Sequence, residues 1–297
     1  MRVLVLGGGG QVARAVVAAA PAHHQVTAKA RGDLDIGDAR AVALALAETR
    51  AQWMVNAAAY TAVDLAEDQP ARAVAVNDTA VGVLAAAASK ADCRLLHLST
   101  DFVFDGTSNR AYLPQDQTNP LSVYGVSKLG GERRVLGAER AGEAQGTGGT
   151  GIVLRTAWVY ASAGRNFVLT MLRLMREKPQ LSVVCDQIGS PTSASSAAAA
   201  VWGLIDAQAP GGVYHWTDLG VASWYDFAVA IQDEALARGL SNRAVPIMPI
   251  LSSAYPTRAQ RPAFSVLDTS STRSLIEAPA RHWRHNLRTI LDELRTP

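Results

Sequence analysis

The sequence predicts an α/β fold, a doubly wound parallel sheet, and three observations lead there. Short apolar runs without polar alternation recur along the first half ("VLVL", "WMVNAAAY", "RLLHLST", "GIVLRTAWVY"), the pattern of strands buried on both faces. Alanine-rich stretches of helical periodicity lie between them, and regular strand–helix alternation selects a parallel sheet with right-handed crossovers. The first run passes straight into a glycine turn and then a helix, the opening of a βαβ unit.

In order, "MRVLVLGGGGQVARAVVAAA" gives strand, turn and helix, "HQVTAKA" a second strand, and "ARAVALALAETR" a second helix. "WMVNAAAY" and "RLLHLST" are buried strands flanking the helix "ARAVAVNDTAVGVLAAAASKA". "GEAQGTGGTG" reads as a surface loop before the strand "GIVLRTAWVY", since glycine runs resist regular structure. Beyond it, "NFVLTMLRLMRE" is amphipathic, "QLSVVCDQIGSPT" is a strand and turn, "SWYDFAVAIQDEALARG" is a helix, and prolines crowd into "VPIMPI", "AYP" and "RPAF". The expected division is a dinucleotide-binding domain over 1–160 and a mainly substrate-binding domain over 161–297, with some segments returning to the first.

The 297 residues suffice for a substantial core, and a net charge of +2 with scattered arginines argues against nucleic acid as a partner. No apolar run approaches the roughly 18 to 20 residues needed to cross a bilayer, and "VLVL" is too short for a signal-peptide core. Cys93 and Cys185 stand alone, without CxxC or His-rich neighbours, so neither a disulfide framework nor a metal site is expected. A reducing cytoplasm is the expected location.

Two motifs carry chemistry. Gly7, Gly10 and Ala13 form GxxGxxA between strand and helix. Glycines there let a pyrophosphate approach the backbone, and the helix start offers N–H groups and a favourable dipole. The second motif, "VYGVSK", places Tyr124 and Lys128 one helical turn apart. Their polar ends would share a face, and a lysine cation would lower the phenol's pKa from ~10 towards neutrality. A bare YxxxK is common, but this one follows a strand ending in "LSTD", and strand ends are where open α/β sheets bind ligands.

The glycine turn, "NAAAYT", "LSTDFVFDG", "NPLSVYGVSKLGGE", "LRTAWVY", "DQIGSPT" and "YPTRAQRP" together resemble the extended short-chain dehydrogenase/reductases, and within them the dTDP-4-dehydrorhamnose reductases, nearly end to end. The resemblance implies a Rossmann fold and reduction of the C4 ketone of dTDP-4-dehydro-L-rhamnose to dTDP-L-rhamnose with NADPH or NADH, the last step of dTDP-rhamnose synthesis for cell-surface polysaccharide. It assigns Tyr124 as the proton donor, Lys128 to the nicotinamide ribose, and Thr100 to the carbonyl. Gly7, Gly10, Gln11 and Val12 would line the pyrophosphate, Asp35 and Ile36 the adenine, and Ala59, Tyr60 and Thr61 the nicotinamide side. Asp101 and Trp158 would meet the sugar, and Asn166, Arg258 and Arg261 the nucleotide or diphosphate. Rivals are a reductase of another nucleotide-linked 4-keto-6-deoxysugar, a sugar-nucleotide epimerase, and a non-catalytic subunit like the regulatory subunit of methionine adenosyltransferase.

Three positions depart from the family pattern. Phe102 replaces a usual tyrosine after "STD", and Ala15 stands where some relatives carry a glutamate that binds magnesium between subunits. No metal is therefore expected, and a homodimer would have to form without a bridging ion. Ala30 occupies the place of the aspartate that ends the second strand, between Lys29 and Arg31. An acid there holds the adenosine ribose 2′-hydroxyl and repels a 2′-phosphate, whereas arginine grips the phosphate. NADPH is the expected preference, with Arg31 as its ligand and Asp33 as the residue that could restore the acidic role.

Overall fold

A computed structural model describes residues 1–137, 151–279 and 281–295. The segment "GEAQGTGGTG", Gly151 apart, lies outside the described residues. The strands β1 (Arg2–Leu6), β2 (Gln25–Lys29), β3 (Trp53–Asn56), β4 (Arg94–Thr100) and β5 (Ile152–Thr156) form one sheet with the edge strand Gly212–His215. Across the sheet the order is Gly212–His215, β5, β4, β3, β1, β2, and every neighbouring pair is parallel. The expected doubly wound sheet is present.

The inner strands β1, β3, β4 and β5 send alternate side chains to two apolar layers, as a sheet covered on both faces requires. Val3, Val5, Trp53, Val55, Leu96, Leu98, Ile152 and Leu154 pack against α1 (Gln11–Ala18) and the helix Ala194–Asp206. Leu4, Leu6, Met54, Leu95 and Val153 meet α2 (Ala39–Thr49) and the helix Ala80–Lys90. On this second face the last positions turn polar: Asn56 on β3, His97 and Ser99 on β4 and Arg155 on β5 are all buried.

A separate apolar cluster gathers Tyr160, Val168, Met171, Leu172, Leu181, Phe227, Ile231, Trp283 and Leu287. Its helices Phe167–Glu177, Trp224–Ala237 and Trp283–Glu293 bury one stripe each. The chain crosses between the two cores more than once: after Tyr160 it builds the second, then returns to the sheet through Ala194–Asp206 and Gly212–His215. "GIVLRTAWVY" is not one strand; it breaks at Trp158, whose φ of 49° is left-handed, before the short strand Val159–Tyr160 pairs with Thr192–Ser193.

One feature escaped the hydropathy reading. Pro70–Lys90 is a continuous helical run of 21 residues with mean hydropathy 1.2, long and apolar enough by length and composition to cross a membrane. Its apolarity comes largely from alanine, and Val81, Leu84 and Ala88 are spent on the sheet, so it serves as a flanking layer.

Beneath the second face, Glu132 and Arg155, 2% and 1% exposed, form a bidentate pair at 2.9 and 2.6 Å. Removing one partner of such a pair strands a buried charge. Arg155→Met is expected to cost about 3–5 kcal/mol in chemical denaturation. Arg173→Ala, which breaks the exposed pair with Glu177, should cost less than about 1 kcal/mol.

Candidate active site

The chain leaves β1 towards β2 on one side and returns to β3 on the other, so the crevice between their carboxyl ends is the switch point where doubly wound sheets take ligands. Gly7 lies there with φ 83°, and a Cβ on it would sit 2.6 Å from the Ala58 nitrogen; only glycine fits. The Gly10 N–H closes the turn on the Gly7 carbonyl at 2.8 Å, and α1 begins without a side-chain cap. Its first-turn N–H groups, at Gln11 and Val12 among others, are free of capping side chains and suit an anion. Ala13 is fully buried against the sheet.

At the end of β2, Arg31 is exposed. The Asp33 carboxylate instead accepts the Ala30 N–H at 2.9 Å, which fixes the turn. Asp35 accepts from Gly37 N–H at 2.9 Å, and Ile36 joins the core beside it. After β3 come Ala59, Tyr60 and Thr61, and the Tyr60 backbone is clamped at both ends by Asn77: N–H to Oδ1 at 2.8 Å and Nδ2 to the carbonyl at 3.0 Å. Asn77 lies in a π-helical turn, Ala75–Thr79, inside the long helical run. These residues fit a dinucleotide: an uncapped helix start, a glycine turn that excludes side chains, and an exposed arginine where a ribose substituent would lie.

Ser122 caps the helix Val123–Leu136 by accepting the Gly125 N–H. Tyr124 is half-buried, packed edge-on against Phe102 with ring centroids 5.6 Å apart. Burial pushes its phenol up to about 12; the nearby Thr100 hydroxyl opposes the rise and the Asp101 carboxylate adds to it. Lys128 does not depress it as the spacing suggests. Its ammonium position lies below the helix, donating to the Leu98 carbonyl at 2.6 Å and standing 3.1 Å from His97 Nε2. Burial pushes Lys128 itself down to about 8, against the pull of Glu132.

Thr100 ends β4. Its hydroxyl donates to Asp101 Oδ1 at 3.0 Å and accepts the Phe102 N–H at 3.2 Å, so Thr100 caps the short turn that follows. Burial pushes Asp101 up to about 6. Two buried atoms here lack protein partners, Asp101 Oδ2 and Thr156 Oγ1; Thr156 is the β5 neighbour of Thr100. Buried polar atoms are ordinarily paired, and such orphans at a strand-end crevice suit a polar ligand.

The remaining expected residues divide. Trp158 stacks face to face on Trp224 at 3.5 Å, a platform set at the strained break after β5. Asn166 instead stands by the glycine turn, donating to Gln11 Oε1 at 2.8 Å and capping the helix Phe167–Glu177. Arg261 pairs with Asp64 at 2.8 Å and Arg258 with Asp68, so both tie the C-terminal segment to the helix Val63–Asp68 just past Thr61. Asn56, Asn77, His97, Thr156 and Trp224 were not singled out by the sequence; only strand register and fold bring them to the site. His23, His24 and Asp206 also come together, their ligand atoms within 4.8 Å, but they lie before β2 and at the end of a helix, at the edge opposite the crevice.

Residues 1–296 match the family model described as RmlD substrate binding domain. The dTDP-4-dehydrorhamnose reductase of Burkholderia thailandensis is 41% identical, with 96% of each chain covered. The crystal structure of a dTDP-4-dehydrorhamnose reductase from Clostridium acetobutylicum superposes with a TM-score of 0.89 at 34% identity over 100% of both chains. That of the Bacillus anthracis reductase in complex with NADP gives 0.88 at 29% identity, covering 98% of this chain and 99% of that one. With a switch-point glycine turn and a YxxxK helix against a Thr-ended strand, this chain belongs to the dTDP-4-dehydrorhamnose reductase family.

Proposed function

We propose that this protein reduces the C4 ketone of dTDP-4-dehydro-L-rhamnose to dTDP-L-rhamnose with NADPH. The observation that carries the reading is a protonated phenol set beside a strand-end hydroxyl: Tyr124 adjoins Thr100 at the carboxyl end of β4, beside a dinucleotide turn. A bound nicotinamide supplies the hydride. A phenol held at about 12 keeps its proton at neutral pH, which suits a general acid that gives that proton to the ketone oxygen. Thr100 steadies the same oxygen by hydrogen bonding as charge develops on it. Trp158 offers an apolar face to the deoxysugar, and Asp101 Oδ2 and Thr156 Oγ1 offer polar atoms to its hydroxyls. Arg258 and Arg261 would turn from their aspartates to the diphosphate, where a planar fork donates two hydrogen bonds at once. The enzyme would work in the cytoplasm, in a pathway feeding polysaccharide.

The decisive assay mixes the protein, NADPH and dTDP-4-dehydro-L-rhamnose, follows cofactor absorbance, and identifies the sugar by NMR. No net oxidation would indicate an epimerase or a binding subunit; a different product stereochemistry would indicate another deoxysugar. Tyr124→Phe keeps the ring and its packing on Phe102 but has no proton to give. It should retain NADPH affinity and lose about 10²- to 10⁴-fold in kcat; a loss under about threefold removes Tyr124 as the acid.

Cofactor choice rests on Arg31, exposed and followed by an Asp33 already engaged by the Ala30 N–H. Charge-assisted hydrogen bonds to a 2′-phosphate contribute about 1.5–3 kcal/mol, roughly ten- to a hundredfold. Arg31→Ala should lower the NADPH-to-NADH ratio of kcat/KM by that factor; an unchanged ratio excludes Arg31. Turnover should also survive EDTA, because Ala15 provides no ligand at the position where some relatives bind magnesium; a rate that collapses and returns with magnesium would overturn this.

A further inference from the structure

The hydrogen bonds behind Lys128 run in one fixed direction. Asn56 on β3 and His97 on β4 are register partners, both wholly buried, on the face beneath the Val123–Leu136 helix. The Ala58 N–H donates to Asn56 Oδ1 at 3.0 Å. A backbone N–H can only donate, so the amide orientation is set and Nδ2 must face His97. Asn56 Nδ2 lies 2.9 Å from His97 Nδ1, and Nδ2 can only donate, so Nδ1 must be the ring nitrogen that carries a lone pair. The neutral imidazole then holds its proton on Nε2, 3.1 Å from Lys128 Nζ. A proton on both ring nitrogens would set Nδ1–H against the amide, and the ring is accordingly held well below its ordinary pKa, chiefly by burial. Nε2–H facing an ammonium would likewise set donor against donor, because an ammonium has no lone pair.

We infer that Asn56 and His97 are positioning residues that hold Lys128 in its docked place as the neutral amine, accepting from His97 Nε2–H and donating to the Leu98 carbonyl. Protonation makes the docked arrangement repulsive and releases the side chain as an ammonium with three donors for the cofactor ribose. Docking and charge are thereby coupled: the lysine is amine when docked and ammonium when it serves the cofactor. The cofactor part of this inference rests on the reductase reading; the proton inventory does not. The other titratable groups on or against this helix include Tyr124 and Glu132, one turn before and after Lys128, Arg155 on β5, which pairs with Glu132, Asp101 after β4, which faces Tyr124, and Glu67, which accepts the Val123 N–H. Asp78, on the π turn against that helix, pairs with Arg134. Burial and Glu132 therefore set the midpoint near 8, while the chain from Ala58 sets which form can dock.

Asn56→Asp changes the chain without changing its shape. One carboxylate oxygen still accepts the Ala58 N–H, and the other now accepts from His97. The ring proton moves to Nδ1, Nε2 presents a lone pair, and the ammonium gains a docked partner. The first measurement is long-range ¹H–¹⁵N NMR of the free protein. The parent should show His97 protonated on Nε2, with its shifts constant through the neutral range; a proton on Nδ1 in the parent would overturn the inference whatever the enzyme's activity. The second is NADPH affinity against pH. In the parent it should fall above about pH 8, approaching about tenfold per pH unit, and in Asn56→Asp the onset should move up by at least about one unit. A merely structural role would weaken binding equally at every pH, and an onset that does not move counts against the inference. Failure of the parent to reduce the sugar would sink the reductase reading and leave the NMR result standing.

Discussion

A lysine buried to 2% exposure is the constraint around which the catalytic half of this molecule is arranged. Its polar end cannot be left without partners in a dry interior, and the sheet supplies them at one place. On β3, β4 and β5 the residues facing the Val123–Leu136 helix are apolar until the last turns of each strand, where Asn56, His97, Ser99 and Arg155 take over. Lys128 rests on His97 and the Leu98 carbonyl; four residues on, Glu132 accepts from Ser99 at 2.5 Å and pairs with Arg155. The helix thus lies over a polar floor, with its polar ends matched one turn at a time. A stability cost accompanies such a floor wherever an apolar one of equal shape was available, and it is met here at the ligand-binding edge of the sheet.

Holding that helix close requires small residues and a distortion in its neighbour. Gly131 packs on the Asn77 carbonyl oxygen so tightly that any Cβ would overlap it. The π turn at Ala75–Thr79 places Asn77 inward, where its side chain serves two loops at once: it clamps the Tyr60 backbone and donates to the Ser127 hydroxyl at 3.0 Å. Ser127 in turn donates to the Tyr124 carbonyl at 2.8 Å. One asparagine therefore sets the loop after β3 relative to the YxxxK helix, and single-turn π insertions recur at functional sites because they re-aim a side chain in this way.

The parts of this arrangement that were legible in the sequence are those written in local pattern. Apolar runs and glycine placement gave the strand–helix alternation, the turn at Gly7 and the helix carrying Tyr124 and Lys128. What was not legible depends on register and on long-range return. Asn56 and His97 are 41 residues apart and meet only because β3 and β4 pair in one register. The edge strand Gly212–His215 is four residues of ordinary composition that becomes part of the sheet only through its pairing with β5. Trp224 reads as one more helical aromatic until Trp158 is found stacked on it. The tuning of Tyr124 departs from its spacing for the same reason: spacing puts Lys128 on its face of the helix, but the polar floor draws the amine downward and leaves burial to dominate the phenol.

Burial also fixes the resting protonation of the site. A phenol whose anion is disfavoured by burial and by the neighbouring Asp101 carboxylate holds its proton at rest, and once that proton has gone to the ketone oxygen the phenolate readily takes up another before the next turnover. Lys128, held by burial near 8, is by far the more readily titrated of the two, and it stands one helical turn away on the same helix. In the reducing direction Tyr124 starts each cycle protonated, as the chemistry needs; in the oxidising direction the same site would have to begin from the buried anion. The electrostatics of the pocket therefore set the resting state, phenol rather than phenolate, while the direction of net reaction remains that of the cofactor and the sugar.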